Sequence, residues 1–175
     1  MKKIRVEATG CGSIFSVDVI ESHSSPTSTA TIECKDTSLD IGNYIEIKAG
    51  YYDGDFLRIF SGHVKMIEYN ALQQTYTLTC ADIMTRAIDY YFAPENPDQP
   101  FKRSNIAAEF LVRDILQEAG ITTYDYQETN FILGVNGTEA EIKLITAYDA
   151  AKSIADLIAW HLWADRDGGV HFRNR

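Results

Sequence analysis

The alternation of apolar and polar residues through the first eighty residues constrains the fold of this chain more than any other feature. Side chains of a β-strand point alternately to its two faces, so a period of two indicates strands that bury one face. The alternating segments are rich in Thr, Tyr, Ile and Val, which favour strands. They occupy residues 1–7, 14–20, 29–34, 44–51, 56–69 and 74–81. Several short strands at such intervals predict an antiparallel sandwich or closed barrel.

The longest of the alternating segments, 56–69, contains a glycine at its centre. A glycine inside a strand often marks a β-bulge or a close approach of backbone. We therefore expect this strand to bend at Gly62, with a bulge there.

A proline-rich stretch divides the chain, and the hydrophobic period changes beyond it. Three of the four prolines fall within residues 93–100, where neither a helix nor a central strand can form. We predict an α+β protein with two domains and a linker. Residues 1–92 form an antiparallel β-barrel domain with a short C-terminal helix, residues 93–103 form the linker, and residues 104–175 form a small α/β subdomain with two helices.

Capping residues and turn residues locate the elements of the α/β subdomain. Ser104 or Asn105 is expected to cap a helix that ends before Gly120, and the sequence at 146–149 is typical of a capping box that opens the second helix. Two hairpins complete the prediction. One pairs residues 131–133 with residues 141–144, and the other closes around the turn at residues 167–169.

Charge and cysteine usage exclude some classes of function. The chain of 175 residues has a formal net charge of −9, whereas tight nucleic-acid binding needs basic residues that neutralise phosphates. We therefore expect no specific nucleic-acid binding, and no segment is long and apolar enough to predict a membrane span. Cys11, Cys34 and Cys80 are odd in number and widely spaced. They predict reduced thiols in an intracellular product, with Cys34 and Cys80 in a core.

No motif in the sequence predicts catalysis or a cofactor. The chain has no nucleophile elbow, Walker loop, dinucleotide-binding glycine motif or His-Glu-x-x-His helix. His161, Asp165, Asp167 and His171 lie close together in sequence and could in principle hold a metal ion. An ordinary hairpin turn at Asp167-Gly168 explains the same residues, and the flanking histidines can face opposite ways. We predict no enzyme activity, no cofactor and no metal.

Three groups of residues are candidates for a protein interface. They are an aromatic loop tip, an aromatic cluster beside the proline-rich stretch and a basic pair before the first long helix. Each also has a structural explanation, as a hairpin turn, an anchor for the linker or a solvated helix approach. The candidate interface residues are Tyr51, Tyr52, Asp53, Tyr90, Tyr91, Phe92, Lys102 and Arg103.

The order of sequence phrases resembles that of phage baseplate-hub and tail-tip proteins, a family that includes late-control protein D, prophage tail proteins and the related spike proteins of type VI secretion. One phrase is hydrophobic-Phe-x-Gly-x-Val at 59–64, and another is a helix that reads Ile-Leu-x-x-Ala-Gly-Ile at 115–121. The phrases lie at 39–47, 59–64, 76–82, 106–121, 150–155 and 165–172. They cover the N-terminal portion of the family pattern.

The resemblance implies a tail-tube-like barrel, an α/β insert and then a second barrel, which would begin after Arg175. It also implies a trimer whose six barrels form a ring that joins a sixfold tail tube to a threefold central spike. The partners would be further copies of the chain, the tail tube protein and the spike or tail-tip proteins. The location would be the virion tail, after synthesis in the host cytoplasm.

Two other functions remain open on the residues alone. A carbohydrate- or cell-wall-binding module would need Tyr51, Tyr52 and Trp163 aligned beside carboxylates in one groove. A glycan hydrolase would need two carboxylates that face each other across a cleft. Against both, the edges of a barrel of long hairpins must be paired or covered, and assembly into a ring supplies that pairing.

Overall fold

A computed structural model of the protein describes residues 4–21, 26–52, 54–93 and 100–174. The chain divides into two compact units. The first comprises Met1–Ile83 with Ala164–Gly168, and the second comprises Met84–Trp163 with Gly169–Arg175. Within the described ranges, no helix is long and apolar enough to cross a membrane.

The first unit is a six-stranded antiparallel sheet that curls into a nearly closed barrel. The order of strands across the sheet is β1-β4-β5-β6-β3-β2, so the first two strands of the chain lie at its two edges. The predicted fold class, an antiparallel barrel followed by a small unit of helices and strands, is confirmed. The strands are β1 (Ile4–Ala8), β2 (Ile14–Ile20), β3 (Thr29–Cys34), β4 (Tyr44–Tyr51), β5 (Phe56–Asn70) and β6 (Thr75–Ala81).

The core of the barrel comes from alternate residues of its strands. Ile45 and Ile47 of β4, for example, are fully buried, while the residue between them is not. Cys34 and Cys80 are fully buried in the same core, as predicted. This alternation is the physical reason that the strand positions predicted from the sequence agree with those of the structure.

Strand β5 is irregular, but the predicted bulge does not lie at Gly62. The register shifts once in the pairing with β4 and once, between Val64 and Met66, in the pairing with β6. At Gly62 the pairing is regular. A β-carbon added there would lie 2.2 Å from the carbonyl oxygen of Ala81, so the glycine permits a close approach of two backbones.

The second unit combines three helices with short strands. Helices α2 and α3 pack against each other through faces rich in alanine, leucine and isoleucine, and α1 packs against α3. The helices are α1 (Met84–Asp89), α2 (Ala108–Glu118) and α3 (Ala147–Leu157). The strands are β7 (Phe101–Arg103), β8 (Ile106–Ala107), β9 (Tyr124–Tyr126), β10 (Ile132–Leu133), β11 (Ala140–Ile142), β12 (Trp160–Ala164) and β13 (Val170–Asn174).

Two predictions for this unit are confirmed. The Thr146 hydroxyl oxygen accepts a hydrogen bond from the backbone N–H of Asp149 at 3.0 Å, which caps α3. Strands β12 and β13 are neighbours in one sheet, as the predicted C-terminal hairpin requires. The sheet also contains β9, which runs parallel to β13.

Two other predictions for this unit are wrong. Helix α2 begins at Ala108, not after Ser104 or Asn105, because Ile106 and Ala107 form a strand with β10 and Asn105 has a φ of 50°. The strands predicted to form a hairpin, β10 and β11, do not pair with each other. Strand β10 pairs with β8 and β11 pairs with β7, so both are held by residues far away in sequence.

The segment predicted as the linker, 93–103, lies partly outside the described residues. Its last three residues, Phe101–Arg103, form strand β7. Helix α1, which the sequence assigned to the barrel domain, belongs to the second compact unit. The predicted domain boundaries, with a barrel over 1–92, a linker over 93–103 and an α/β subdomain over 104–175, stay a prediction.

Candidate functional site

Exposed apolar side chains gather at one end of the barrel sheet. Ile4 in β1 pairs directly with Tyr51 in β4, and Leu57 in β5 pairs with Ala49, two residues before Tyr51. Residues opposite each other in an antiparallel pair share a face, and so do alternate residues along a strand. Ile4, Tyr51 and Leu57 therefore lie on the same face as the buried core, beyond the point where the core ends.

With Tyr52, these residues form a group that we call the barrel-end cluster. The side chains of Ile4, Tyr51, Tyr52 and Leu57 are between 50% and 73% exposed. All four residues are far more exposed than the core residues of β1, β4 and β5.

Arg5 follows Ile4 in β1 and pairs with Gly50, so its side chain lies on the outer face of the sheet. Its guanidinium carbon lies 5.8 Å from the centre of the Tyr52 ring and 5.4 Å from the centre of the Phe56 ring. It also forms an ion pair with Glu7. Cation–π contacts restrict the positions of exposed rings, so Arg5 holds Tyr52 and supplies a polar border to the cluster.

The outer face of β4 and β5 carries a network of charges. Glu46 accepts from Arg58 at 2.7 Å, from Lys48 at 3.3 Å and from the Tyr44 hydroxyl at 3.2 Å. Partial desolvation raises the pKa of Glu46, but these hydrogen bonds and charges outweigh it and lower that pKa below its ordinary value. Arg58 also pairs with Asp167 at 2.9 Å. Glu46, Lys48 and Arg58 form ion pairs with each other or with Asp167 inside the same unit. These charges are therefore already neutralised and are not free to bind another protein.

The sequence found half of the barrel-end cluster. Tyr51 and Tyr52 were candidates for an interface and belong to it, and Asp53 lies outside the described residues. Ile4 and Leu57 were missed, because their place beside Tyr51 depends on strand register. For Ile4 the signal is the continuation of the alternating pattern of β1 beyond the buried Ala8. Leu57 has no such signal, because the register shift between β4 and β5 puts it out of phase with the buried Phe60.

The second candidate group, Tyr90, Tyr91 and Phe92, is attached to the second unit. Phe92 is only 8% exposed, and its ring lies 5.1 Å from the rings of both Tyr90 and Phe101. Its backbone N–H donates to the carbonyl of Ile145 at 3.0 Å. Phe92 therefore packs inside this unit, whereas Tyr91 is 51% exposed and can still contact a partner.

The basic pair Lys102 and Arg103 lies in β7 and has acidic partners within the same unit. Lys102 Nζ lies 2.9 Å from Glu139, whose hydrogen bond and charge raise the pKa of the lysine. Arg103 Nε lies 3.0 Å from Asp114, and its guanidinium carbon lies 4.3 Å from the centre of the Phe101 ring. Both cations hold β7 in place. To bind a partner protein as well, Lys102 and Arg103 would have to share these ion pairs with it or break them.

The histidines and acids considered for a metal site do not gather into one. Among the described residues, no group of three or more His, Cys, Asp or Glu side chains could hold a metal ion. The His171 ring instead stacks on Trp163, with ring centres 5.1 Å apart, and its Nδ1 lies 3.6 Å from Asp125. Trp163 is 41% exposed, so the second unit presents an exposed indole ring.

Comparison with solved structures identifies the fold. The chain is similar to the tail protein from Neisseria meningitidis MC58, with a TM-score of 0.68 and 15% sequence identity over 97% of this chain and 50% of that one. It is also similar to the 43 kDa tail protein of prophage MuSo2 from Shewanella oneidensis, with a TM-score of 0.62 and 12% identity over 98% of this chain and 54% of that one.

The chain thus has the fold of tail proteins, and the resemblance stated from the sequence is confirmed. It spans about half the length of these two structures. No protein-family model matches the chain. No curated protein matches it either.

Proposed function

We propose that the chain is a structural component of a phage or prophage tail, located at the baseplate hub or tail tip. There it joins the tail tube to the central spike through ring assembly. The observation that carries the proposal is the match over 97% of the chain to a tail protein at a TM-score of 0.68. The virion tail is then its location, after synthesis in the host cytoplasm.

The assembly surface in this proposal is the barrel-end cluster. Ile4, Tyr51 and Leu57 continue the core face of the sheet into solvent, and Tyr52 lies beside them in contact with Arg5, which provides a polar border. A protein interface commonly combines an apolar centre rich in aromatic residues with a polar rim. Burial of Ile4, Tyr51, Tyr52 and Leu57 against a neighbour would remove this surface from water.

The partners follow from the same proposal. They are further copies of the chain, with a trimer expected, together with the tail tube protein and the spike or tail-tip proteins. Neither catalysis nor a cofactor is required for this role, because the chain acts by positioning its neighbours.

The first test is the absolute mass of the purified chain over a range of concentrations, by light scattering after size exclusion. Negative-stain images of any large species accompany it. A threefold or sixfold species with a central hole is the expected result. A strict monomer at high concentration, together with no binding to an isolated tail tube, would contradict the proposal.

A pair of matched variants locates the surface. Leu57→Glu places a charge in the barrel-end cluster, where Leu57 is 64% exposed. Leu72→Glu places the same charge at a leucine that is 98% exposed in the turn between β5 and β6. We expect Leu57→Glu to reduce assembly at least tenfold and Leu72→Glu to leave it unchanged, with both variants folded by circular dichroism. Equal effects would reject the cluster as the surface.

A second candidate function is binding of cell-wall carbohydrate. The exposed indole of Trp163 supports it, because sugars stack on exposed aromatic rings, and Asp125 lies next to the His171 ring on which Trp163 stacks. Titration of the chain with soluble peptidoglycan fragments tests it. Binding that disappears in Trp163→Ala would favour this function over the structural one.

A further inference from the structure

The turn between β10 and β11 contains the one asparagine of the chain that is followed by glycine. Asn136 has a φ of 56° and Gly137 a φ of 79°. The Val135 carbonyl accepts from the backbone N–H of Thr138 at 3.1 Å and from its hydroxyl at 2.6 Å. Two positive φ values and this hydrogen bond fit a type I′ turn, for which Asn-Gly is a preferred pair. Both residues of the pair are exposed to solvent.

The groups of this pair that can react with each other have no competing partner. Within the described part of the chain, neither the side chain of Asn136 nor the N–H of Gly137 forms a hydrogen bond. A β-carbon added to Gly137 would meet no atom of the described residues within 4 Å, apart from its chain neighbours. Glycine also lacks the side chain that would obstruct the approach of its nitrogen to the asparagine side chain.

Two other asparagines in turns of the barrel are held in place. Oδ1 of Asn43 accepts from the backbone N–H of Asp40 at 3.0 Å. Oδ1 of Asn70 accepts from the backbone N–H groups of Leu72 at 3.1 Å and Gln73 at 3.2 Å. Each of these asparagines is followed by a residue that has a β-carbon. They are therefore internal references for Asn136.

The Asp-Gly turn at residues 167–168 is also held, although it has the same backbone spacing. Asp167 Oδ1 accepts from Arg58 Nη1 at 2.9 Å, and the Gly168 N–H donates to the Asp165 carbonyl at 3.1 Å. A β-carbon on Gly168 would lie 3.2 Å from Ser61 Oγ. Both the side chain and the nitrogen that would have to meet are thus engaged in this turn, whereas at Asn136 and Gly137 they are not.

We propose that Asn136 is a site of spontaneous modification, at which the side-chain amide loses ammonia by closing onto the backbone of Gly137. The Gly137 nitrogen attacks Cγ of Asn136, so a bond from nitrogen to Cγ forms while the Cγ–Nδ2 bond breaks. The proton of the Gly137 N–H goes to the leaving group, which departs as ammonia. A cyclic imide remains.

Water then opens the imide ring in one of two ways. Attack at Cγ gives an aspartate at position 136. Attack at the backbone carbonyl gives isoaspartate, in which the main chain runs through Cβ and Cγ. In both cases one amide and one water become one carboxylate and one ammonium ion. The inference does not depend on the function proposed above.

The modification changes the charge and the turn but not the pairing of strands. It adds one negative charge to a chain whose formal net charge is −9, and isoaspartate lengthens the backbone of the turn by one methylene group. Strand β10 pairs with β8, and β11 pairs with β7. Because neither strand depends on the turn for its partner, modified chains should stay folded and accumulate as an acidic species.

The folded turn slows the reaction without preventing it. The Gly137 nitrogen reaches Cγ of Asn136 only when the turn rearranges locally, and an exposed turn opens at little free-energy cost. We therefore expect the folded chain to react within about tenfold of the rate in the unfolded chain. Removal of the N–H proton by hydroxide assists the attack, so the rate should increase with pH.

The experiment incubates the folded chain at pH ~7 and pH ~9, with a parallel sample unfolded in guanidinium chloride. Ion-exchange chromatography separates the acidic species, and mass spectrometry of peptides locates the change. We expect one main acidic species modified at residue 136, ammonia released in equal amount, and a faster reaction at the higher pH. The variant Asn136→Asp marks where the aspartate product elutes.

Two further variants test the chemistry. Gly137→Ala keeps the asparagine and adds a β-carbon for which there is room. It should react at least about tenfold more slowly, because the methyl group obstructs the attack. Asn136→Gly suits the positive φ and should form no such species, with circular dichroism as the check that both variants are folded.

Three outcomes would each overturn the proposal. The acidic species could map to Asn43 or Asn70 instead of Asn136. Gly137→Ala could react as fast as the unchanged chain. The folded chain could also remain unmodified after the sample in guanidinium chloride has been converted, which would mean that the turn protects Asn136.

Discussion

Gly62 of β5 approaches Ala81 of β6 so closely that a β-carbon on Gly62 would lie 2.2 Å from the Ala81 carbonyl oxygen. The obstacle is backbone, which cannot rotate away as the end of a flexible side chain can. The pairing of these two strands runs through the middle of the sheet, from His63 opposite Ala81 to Asn70 opposite Thr75. The absence of a side chain at residue 62 therefore permits β5 and β6 to approach each other closely at this point.

Gly62→Ala should destabilise the barrel because the added methyl group forces β5 and β6 apart. We expect a loss of about 2–3 kcal/mol in the free energy of unfolding, as for other overpacked cores. Gly54→Ala is the matched control, since a β-carbon there would meet only ordinary contacts, the nearest at 3.7 Å. Urea denaturation measures both, and equal stability of the two variants would contradict the close approach.

Phe92→Ala should destabilise the second unit, because it empties the space between the rings of Tyr90 and Phe101. Truncation of a buried phenylalanine costs about 3–5 kcal/mol. Tyr91→Ala is the control, as it removes a half-exposed ring and should change stability by less than about 0.5 kcal/mol. The Tm of each variant, measured by thermal unfolding, compares the contribution of the buried Phe92 with that of the exposed Tyr91. A fully stable Phe92→Ala would show that Phe92 has no structural role.

The barrel could be predicted from sequence because its strands carry their own signal. Strands of six or more residues show period two clearly, and the core positions Ile45 and Ile47 follow from it directly. The alternating pattern did not predict the whole barrel-end cluster. The neighbours of Tyr51 come from β1 and β5, and only the register that pairs Ile4 with Tyr51 brings them together.

The second unit could not be predicted as well, because its strands are two to five residues long and are set by distant contacts. Asn105 lies in the left-handed region and precedes β8, so the helix expected there begins later. A β-carbon on Gly134 would lie 2.9 Å from the carbonyl oxygen of Arg103. Gly134 thus lies against the end of β7, and its carbonyl accepts from the backbone N–H of Asn105 at 2.9 Å, just before β8. Nothing local in the sequence indicates either contact.

Thr146→Ala should remove the cap of α3, since the hydroxyl that accepts from the Asp149 N–H is lost. Loss of such a cap costs about 1 kcal/mol, with a range of about 0.5–2 kcal/mol. Thr146→Ser keeps the hydroxyl and should retain most of the stability. Chemical denaturation measures the free energy of unfolding of both variants. Equal stability of Thr146→Ala and the unchanged protein would contradict the role of Thr146 as a cap.

Tyr126→Phe should stabilise the protein, which is the reverse of the usual effect of a core substitution. The Tyr126 hydroxyl is buried without a hydrogen-bond partner, and an unsatisfied buried polar group costs about 1–3 kcal/mol. Removal of the hydroxyl leaves the ring and its packing against Phe172 in place, so we expect a gain of about 1 kcal/mol at neutral pH.

The advantage of Tyr126→Phe should increase in alkali. Burial and, to a lesser degree, the neighbouring Tyr124 raise the pKa of Tyr126 above its ordinary value, which is about 10 in an unfolded chain. Above pH ~10 the unfolded phenol therefore releases its proton while the folded one keeps it, and the folded state loses stability as the pH rises. The phenylalanine variant lacks this loss. Unfolding curves at pH ~7 and pH ~10.5, with the exposed Tyr91→Phe as control, measure the difference. An advantage that stays constant between the two pH values would mean that Tyr126 ionises as easily in the folded protein as in the unfolded chain.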